Sequence, residues 1–259
     1  MHERLSFYVK RDSFLHNLNP LTKIILALSI ILISIFSPWY WMSHILLLLV
    51  IVPLGFAGKV AREYFTSAIR LIIPAAGFIF LMQAFFQPIG DTIIFQFWFL
   101  DITQESLSFA FRIATRITVM ISAFTLFLLT THPSELMSDL TRRGLPPQFA
   151  YVIISTLQIL PQMQAKAQTI ISAQRSRGMD TDSTFLKRVG SVLPLVGPLV
   201  FGSLAEVEER AIAIEARGFT SKKIKTSLYE IPDRSSDQII RWSLIILVII
   251  SIVLKIWLS

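Results

Sequence analysis

The chain contains no cysteine, which removes disulfides, thiolate metal sites and a cysteine nucleophile together. Histidine is scarce too. His2, His16, His44 and His132 are scattered, with no pair at metal-ligand spacing, so no metal and no other cofactor is expected. Charge is thin, with Asp, Glu, Lys and Arg making up 16% of the residues. No Gly-x4-Gly-Lys-Ser/Thr phosphate loop occurs, so the chain is not expected to hold ATP in that way itself. Nor does a Ser/His/Asp array or a paired-carboxylate cluster stand out, which argues against an integral membrane enzyme.

What is present is apolar surface. Of 259 residues, 53% are hydrophobic and 20 are Phe, and the mean hydropathy is +0.62. Long apolar runs with few charges read as membrane spans of about 20 residues each. Five such runs occur, at about 21–37, 41–56, 71–87, 106–131 and 239–258. Asn19-Pro20 opens the first, Asn as N-cap and Pro at the first helical position. "SPWYW" (Ser37 to Trp41) is an aromatic turn suited to the membrane interface. The first twenty residues are polar and charged, so no cleavable signal is expected.

The net charge of +7 does not point to nucleic acid, because its placement is that of a topology signal. Arg4, Lys10 and Arg11, then Lys59, Arg62 and Arg70, then the long region from His132 to Arg241 carry Lys and Arg. The loops after the first and third runs carry none, and the latter holds Asp91, Asp101 and Glu105. This alternation predicts an N-terminus inside and a C-terminus outside. The expected fold is an all-α integral membrane protein with about five transmembrane helices and long amphipathic cytoplasmic helices. Residues 1–131 are expected to form a membrane domain of four helices, 132–238 a cytoplasmic domain with two Arg-Gly-tipped helices, and 239–259 a C-terminal transmembrane helix.

Within 132–238 helical periodicity persists. Met163, Ala167, Ile170 and Gln174 share one face, and Val200, Leu204, Val207, Ala211 and Ile214 share another. "GLPPQ" (Gly144 to Gln148) and "GSVLPLVGPL" (Gly190 to Leu199) are expected to break the chain on the approach to each helix. Both helices end alike, in "SAQRSRGMDT" (Ser172 to Thr181) and "IAIEARGFTS" (Ile212 to Ser221). Gly178 and Gly218 suit the left-handed position past a helix C-terminus, and Arg177 and Arg217 suit its dipole. Ala173 and Ala213 lie one turn earlier, leaving room for a close partner surface. An arginine so presented offers a planar two-pronged donor to a carboxylate.

These residues resemble the transmembrane T component of energy-coupling factor (ECF) transporters, which import vitamins and transition-metal ions. That family carries paired Ala-Arg-Gly motifs at two coupling-helix ends. Here the second is Ala216-Arg217-Gly218, while the first has Ser176 in place of Ala, giving Ser176-Arg177-Gly178. "DSFLHNLNPLTKII" (Asp12 to Ile25), with Asn19 where Asp is common, "THPSELMSDLTRRGLPP" (Thr131 to Pro147) and "LQILPQMQAKAQTIISAQ" (Leu157 to Gln174) follow the pattern as well. The resemblance implies a non-catalytic subunit joining two cytoplasmic ATP-binding cassette ATPases to a small membrane S component, with Arg177 and Arg217 as the ATPase contacts. The alternative is a conventional ABC importer permease with its own solute path, and two arginine tips in one chain argue against it.

Other residues are read more simply. Arg112 and Arg116, four apart in the fourth run, are candidate contacts to the S component or within the membrane. Plain alternatives are snorkelling, or pairing with Glu105 or Asp101. His16 and His132 are expected as cap or interface residues. Glu206, Glu208 and Glu209 are expected on a solvated face. "SKKIKTSLYEIPDR" (Ser221 to Arg234) is basic enough to touch anionic lipid headgroups.

Overall fold

A computed structural model describes residues 8–9, 11–86, 92–97, 100–178, 185–219, 221 and 232–258. The chain divides into two compact units, Leu145–Glu230 and Ser6–Gly144 with Ile231–Ser259. The helices of the larger unit are α1 (Pro20–Phe36), α2 (Met42–Ala57), α3 (Ala61–Phe86), α4 (Gln104–Thr130), α5 (Pro133–Arg142) and α8 (Ser235–Leu258). The smaller unit holds α6 (Pro147–Ser176) and α7 (Phe185–Ala216). The molecule is an all-α membrane protein. Its one departure among the described residues is an antiparallel hairpin, β1 (Ile93–Phe97) with β2 (Leu100–Thr103).

Local chemistry accounts for the helix starts. Asn19 caps α1, its side-chain oxygen accepting from Leu21 N at 2.9 Å, with Pro20 behind it. Thr103 and Ser106 form a reciprocal capping box at α4. His132 caps α5, its Nδ1 accepting from Ser134 N at 3.2 Å. His16 is tied on both ring nitrogens, Nε2 donating to Val9 O and Nδ1 accepting from Ser13 Oγ, each at 2.8 Å. His132 is thus the cap residue expected, while His16 is held within the turn that precedes α1.

α3, α4 and α8 are long and apolar enough to cross a membrane; α1 and α2 are shorter apolar helices. All five apolar runs are thus helical. Two carry π-helical turns, at Leu46–Ile51 in α2 and Ala68–Ile72 in α3. Their core gathers Leu15, Ile30, Ile51, Val60, Val119 and Leu126. Tyr64 reaches into it and donates to Ser122 Oγ at 2.9 Å, so its hydroxyl is not left unpaired.

Three expectations change. Arg62 and Arg70 stand on α3 itself, which starts ten residues before the expected span, at Ala61. The loop after the third run is partly a hairpin, where β-branched and aromatic residues in "IIFQF" favour pairing. The stretch from Gly190 to Leu199 does not break the chain: α7 runs through Pro194 and Pro198 as one helix of 32 residues. Asp91, Gln87 and most of the basic stretch after Ser221 lie outside the described residues.

Candidate coupling site

The Arg-Gly ends are built as glycine chemistry demands. Gly178 has φ +87° and Gly218 φ +68°, a region open to glycine and costly for residues with a Cβ. Gly178 N donates to Arg175 O and Gly218 N to Glu215 O, both at 2.9 Å. Phe219 N returns to Ile214 O at 3.2 Å, the six-to-one bond that closes a helix end.

The two helices lie antiparallel. Tyr151 meets Phe219 with ring centroids 5.3 Å apart. Gln162 accepts from Arg210 at 2.8 Å, and Lys166 pairs with Glu206. Ala165, Thr169 and Ile170 share an open cleft with Pro198, Leu199 and Gly202. Residue numbers rise along α6 as they fall along α7, so Arg217 stands level with residue 155 of α6. Arg177 is 22 residues further on, about 33 Å at 1.5 Å per residue. The two arginine tips therefore lie at opposite ends of the pair.

Ala173, Arg177 and Gly178 at one tip, and Ala213, Ala216, Arg217 and Gly218 at the other, are all exposed. Neither Arg177 nor Arg217 makes an ion pair or side-chain hydrogen bond among the described residues, although carboxylates stand nearby in sequence, Glu215 among them. Ser176 fits this surface as alanine would, because its hydroxyl turns back to Ser172 O at 3.1 Å on its own helix.

Most of the apolar stripe of α7 is exposed rather than packed on α6. Phe201 is 75% exposed, Leu204 59% and Val207 58%. The α6-facing side is instead made by Leu199, Ser203, Glu206, Arg210 and Ile214. Glu206 is thus a partner of Lys166 rather than part of a free acidic face.

Among the described residues Arg112 and Arg116 make no ion pair, and the Asp101 side chain lies outside that description. Glu105 accepts from Thr92 instead. The Arg112 guanidinium lies 5.7 Å from the Phe109 ring, and Arg116 keeps a buried Nε without an acceptor. Their depth is set by neighbours: His44 stacks on Phe111 at 4.9 Å, accepts or donates to Thr115 at 3.2 Å, and lies 5.9 Å from Trp41. Both arginines therefore stand level with the aromatic turn Ser37 to Trp41.

Sequence reasoning missed a buried polar cluster where α1, α5 and α8 meet. Asn19, Asp139 and Asp237 are each 1% exposed. Asn19 Nδ2 donates to Asp139 and Asn19 N to Asp237, at 3.3 and 3.2 Å. Lys23, also buried, donates to His16 O and Thr130 O at 2.9 Å each. At the rim, burial alone would raise the Asp233 carboxyl, but hydrogen bonds from Arg241 and Arg143 outweigh it and hold it below its ordinary value. The sequence marks Asn19 as a helix cap, and nothing in it joins that residue to Asp139 or Asp237. Among the described residues no cluster of His, Asp or Glu could hold a metal ion.

Comparison with known proteins agrees with this architecture. The chain is 29% identical over 255 residues to the energy-coupling factor transporter transmembrane protein EcfT of Lactococcus lactis subsp. cremoris, covering 95% of each chain. It is 30% identical over 228 residues to the protein of that name from Streptococcus thermophilus, covering 85% of this chain and 86% of that one. The family model CbiQ, described as cobalt transport protein, matches residues 11–228. The chain therefore belongs to the CbiQ/EcfT family of energy-coupling transmembrane transporter components.

Proposed function

We propose that this chain links two cytoplasmic ATP-binding cassette ATPases to a small membrane S component that binds a vitamin or a transition-metal ion. The observation that carries this reading is the pair of unpartnered arginines, Arg177 and Arg217, held about 33 Å apart by antiparallel helices. Such a spacing serves two separate acceptors better than one. Each guanidinium offers a fork to a carboxylate in an ATPase groove, and Ala173, Ala213 and Ala216 let that groove close on the helix. ATP-driven movement of the ATPases then displaces α6 and α7, while the chain itself catalyses nothing. The apolar side of α7 offers the S component a surface it can cover.

In this reading residues 1–131 and 239–259 are the membrane-embedded part of a cell-membrane protein, and 132–238 the cytoplasmic coupling part. The N-terminus is inside and the C-terminus outside, following the Lys/Arg distribution. Affinity purification in mild detergent, with identification of the bound subunits, tests the proposal. Two nucleotide-hydrolysing subunits with a small membrane protein are expected. A chain that purifies alone and binds solute by itself contradicts it.

A further inference from the structure

The larger unit ends its first stretch at Gly144, and its next described residues are Pro232 and Asp233. One side chain spans that gap. Arg143 Nε donates to Asp139 Oδ2 at 3.0 Å, and its Nη2 donates to Asp233 Oδ2 at 2.9 Å. Asp233 is held from its other side by Arg241, whose Nη2 lies 2.9 and 3.0 Å from the two carboxylate oxygens. Asp139 is anchored through Asn19 to α1, and Asp237 accepts from both Asn19 N and Arg234 N, at 3.2 and 3.3 Å. The departure and the return of the coupling excursion are thus fastened to each other and to the start of α1.

Two properties make this more than a surface ion pair. The Asp139 side chain is 2% exposed and that of Arg143 34%, so their bond is shielded from water on the Asp139 side. The guanidinium meets its two acceptors with two nitrogens fixed in one plane, whereas a lysine would offer both a single ammonium nitrogen without that geometry. Gly144, at φ +114°, gives the chain a sharp turn directly beyond the fork.

We propose that Arg143 is a positioning residue for energy coupling: by joining Asp139 to Asp233 it makes both crossings of the excursion move as one piece. Without it the two crossings are joined through Asn19 alone, and much of a push on the coupling helices is lost as they shear past each other. This rests on the proposed function. It concerns neither ATPase docking nor solute binding, and Arg143 belongs to neither surface.

The test uses the complex with its ATPases and S component, reconstituted in vesicles, reading solute uptake per ATP hydrolysed. Arg143→Ala is expected to assemble and hydrolyse ATP while uptake per ATP falls about tenfold, with Arg143→Lys between it and the unaltered chain. Because the chain has no cysteine, Arg143→Cys/Asp233→Cys can be bridged by a short bifunctional thiol reagent. Bridging is expected to restore uptake per ATP in the same preparation, which separates coupling from misfolding. Unchanged coupling in Arg143→Ala, or a bridged pair that hydrolyses ATP without uptake, overturns the proposal. If the unaltered chain recruits no ATPase, the proposed function itself is what fails.

Discussion

Asn19 Nδ2 donates to Asp139 Oδ1 across 3.3 Å, joining the first residue before α1 to a helix 120 positions later. The same asparagine caps its own helix through Oδ1. Asn19→Asp keeps the cap but replaces a donor with a carboxylate facing Asp139 and Asp237. It is expected to destabilise the fold by about 2 kcal/mol near neutral pH, with recovery as the new carboxyl protonates. Thermal unfolding in detergent at two pH values measures this; equal stability at both contradicts the arrangement.

The pH response should show two separate steps. Burial holds the His16 imidazole below its ordinary value of 6.5, despite the opposing bond to Val9 O. Its contribution is present above that pH and lost as pH falls through the lowered folded-state value. Asp233 is likewise depressed, so its contribution is present above about 3.8 and lost further into acid. His16→Gln should flatten the first step and Asp233→Asn the second, in unfolding midpoints followed against pH.

Gly178→Ala and Gly218→Ala test the helix ends. A Cβ at either position meets no atom within 4 Å, so the cost is backbone strain alone, about 1 kcal/mol each. Fraying of the last turn, seen by amide hydrogen exchange, is expected with global stability nearly unchanged. A large global loss would mean that these tips are packed rather than presented.

Lys166 and Glu206 illustrate what should matter little. Each side chain is 36% exposed, and exposed pairs contribute at most about 1 kcal/mol. Lys166→Ala is expected to shift the unfolding midpoint only slightly. Phe219→Ala, which removes the Tyr151 contact, should cost more.

Features governed by neighbours in sequence could be read from it. Asn19-Pro20, His132-Pro133, the five apolar runs and both Arg-Gly ends are short-range patterns, and each forms as those patterns require. Partners distant in sequence could not. Asp139 meets Asn19 and Arg143 meets Asp233, 120 and 90 positions apart, and no periodicity encodes such meetings. The stripe on α7 was legible as a stripe, but not its direction, because Lys166 and Arg210 draw the polar side of the helix onto α6. Pro194 and Pro198 mislead for a related reason: proline removes a donor, yet a long helix can continue where its surroundings tolerate the gap.

Arg177 and Arg217 are proposed to plug into two separate ATPases, and the most direct measurement is ATP-driven uptake by complexes carrying Arg177→Glu, Arg217→Glu or both. Each single reversal is predicted to weaken ATPase co-purification and cut uptake while the chain still inserts in the membrane. The double reversal is predicted to abolish both. Normal uptake by the double variant, with both ATPases still bound, would contradict the account.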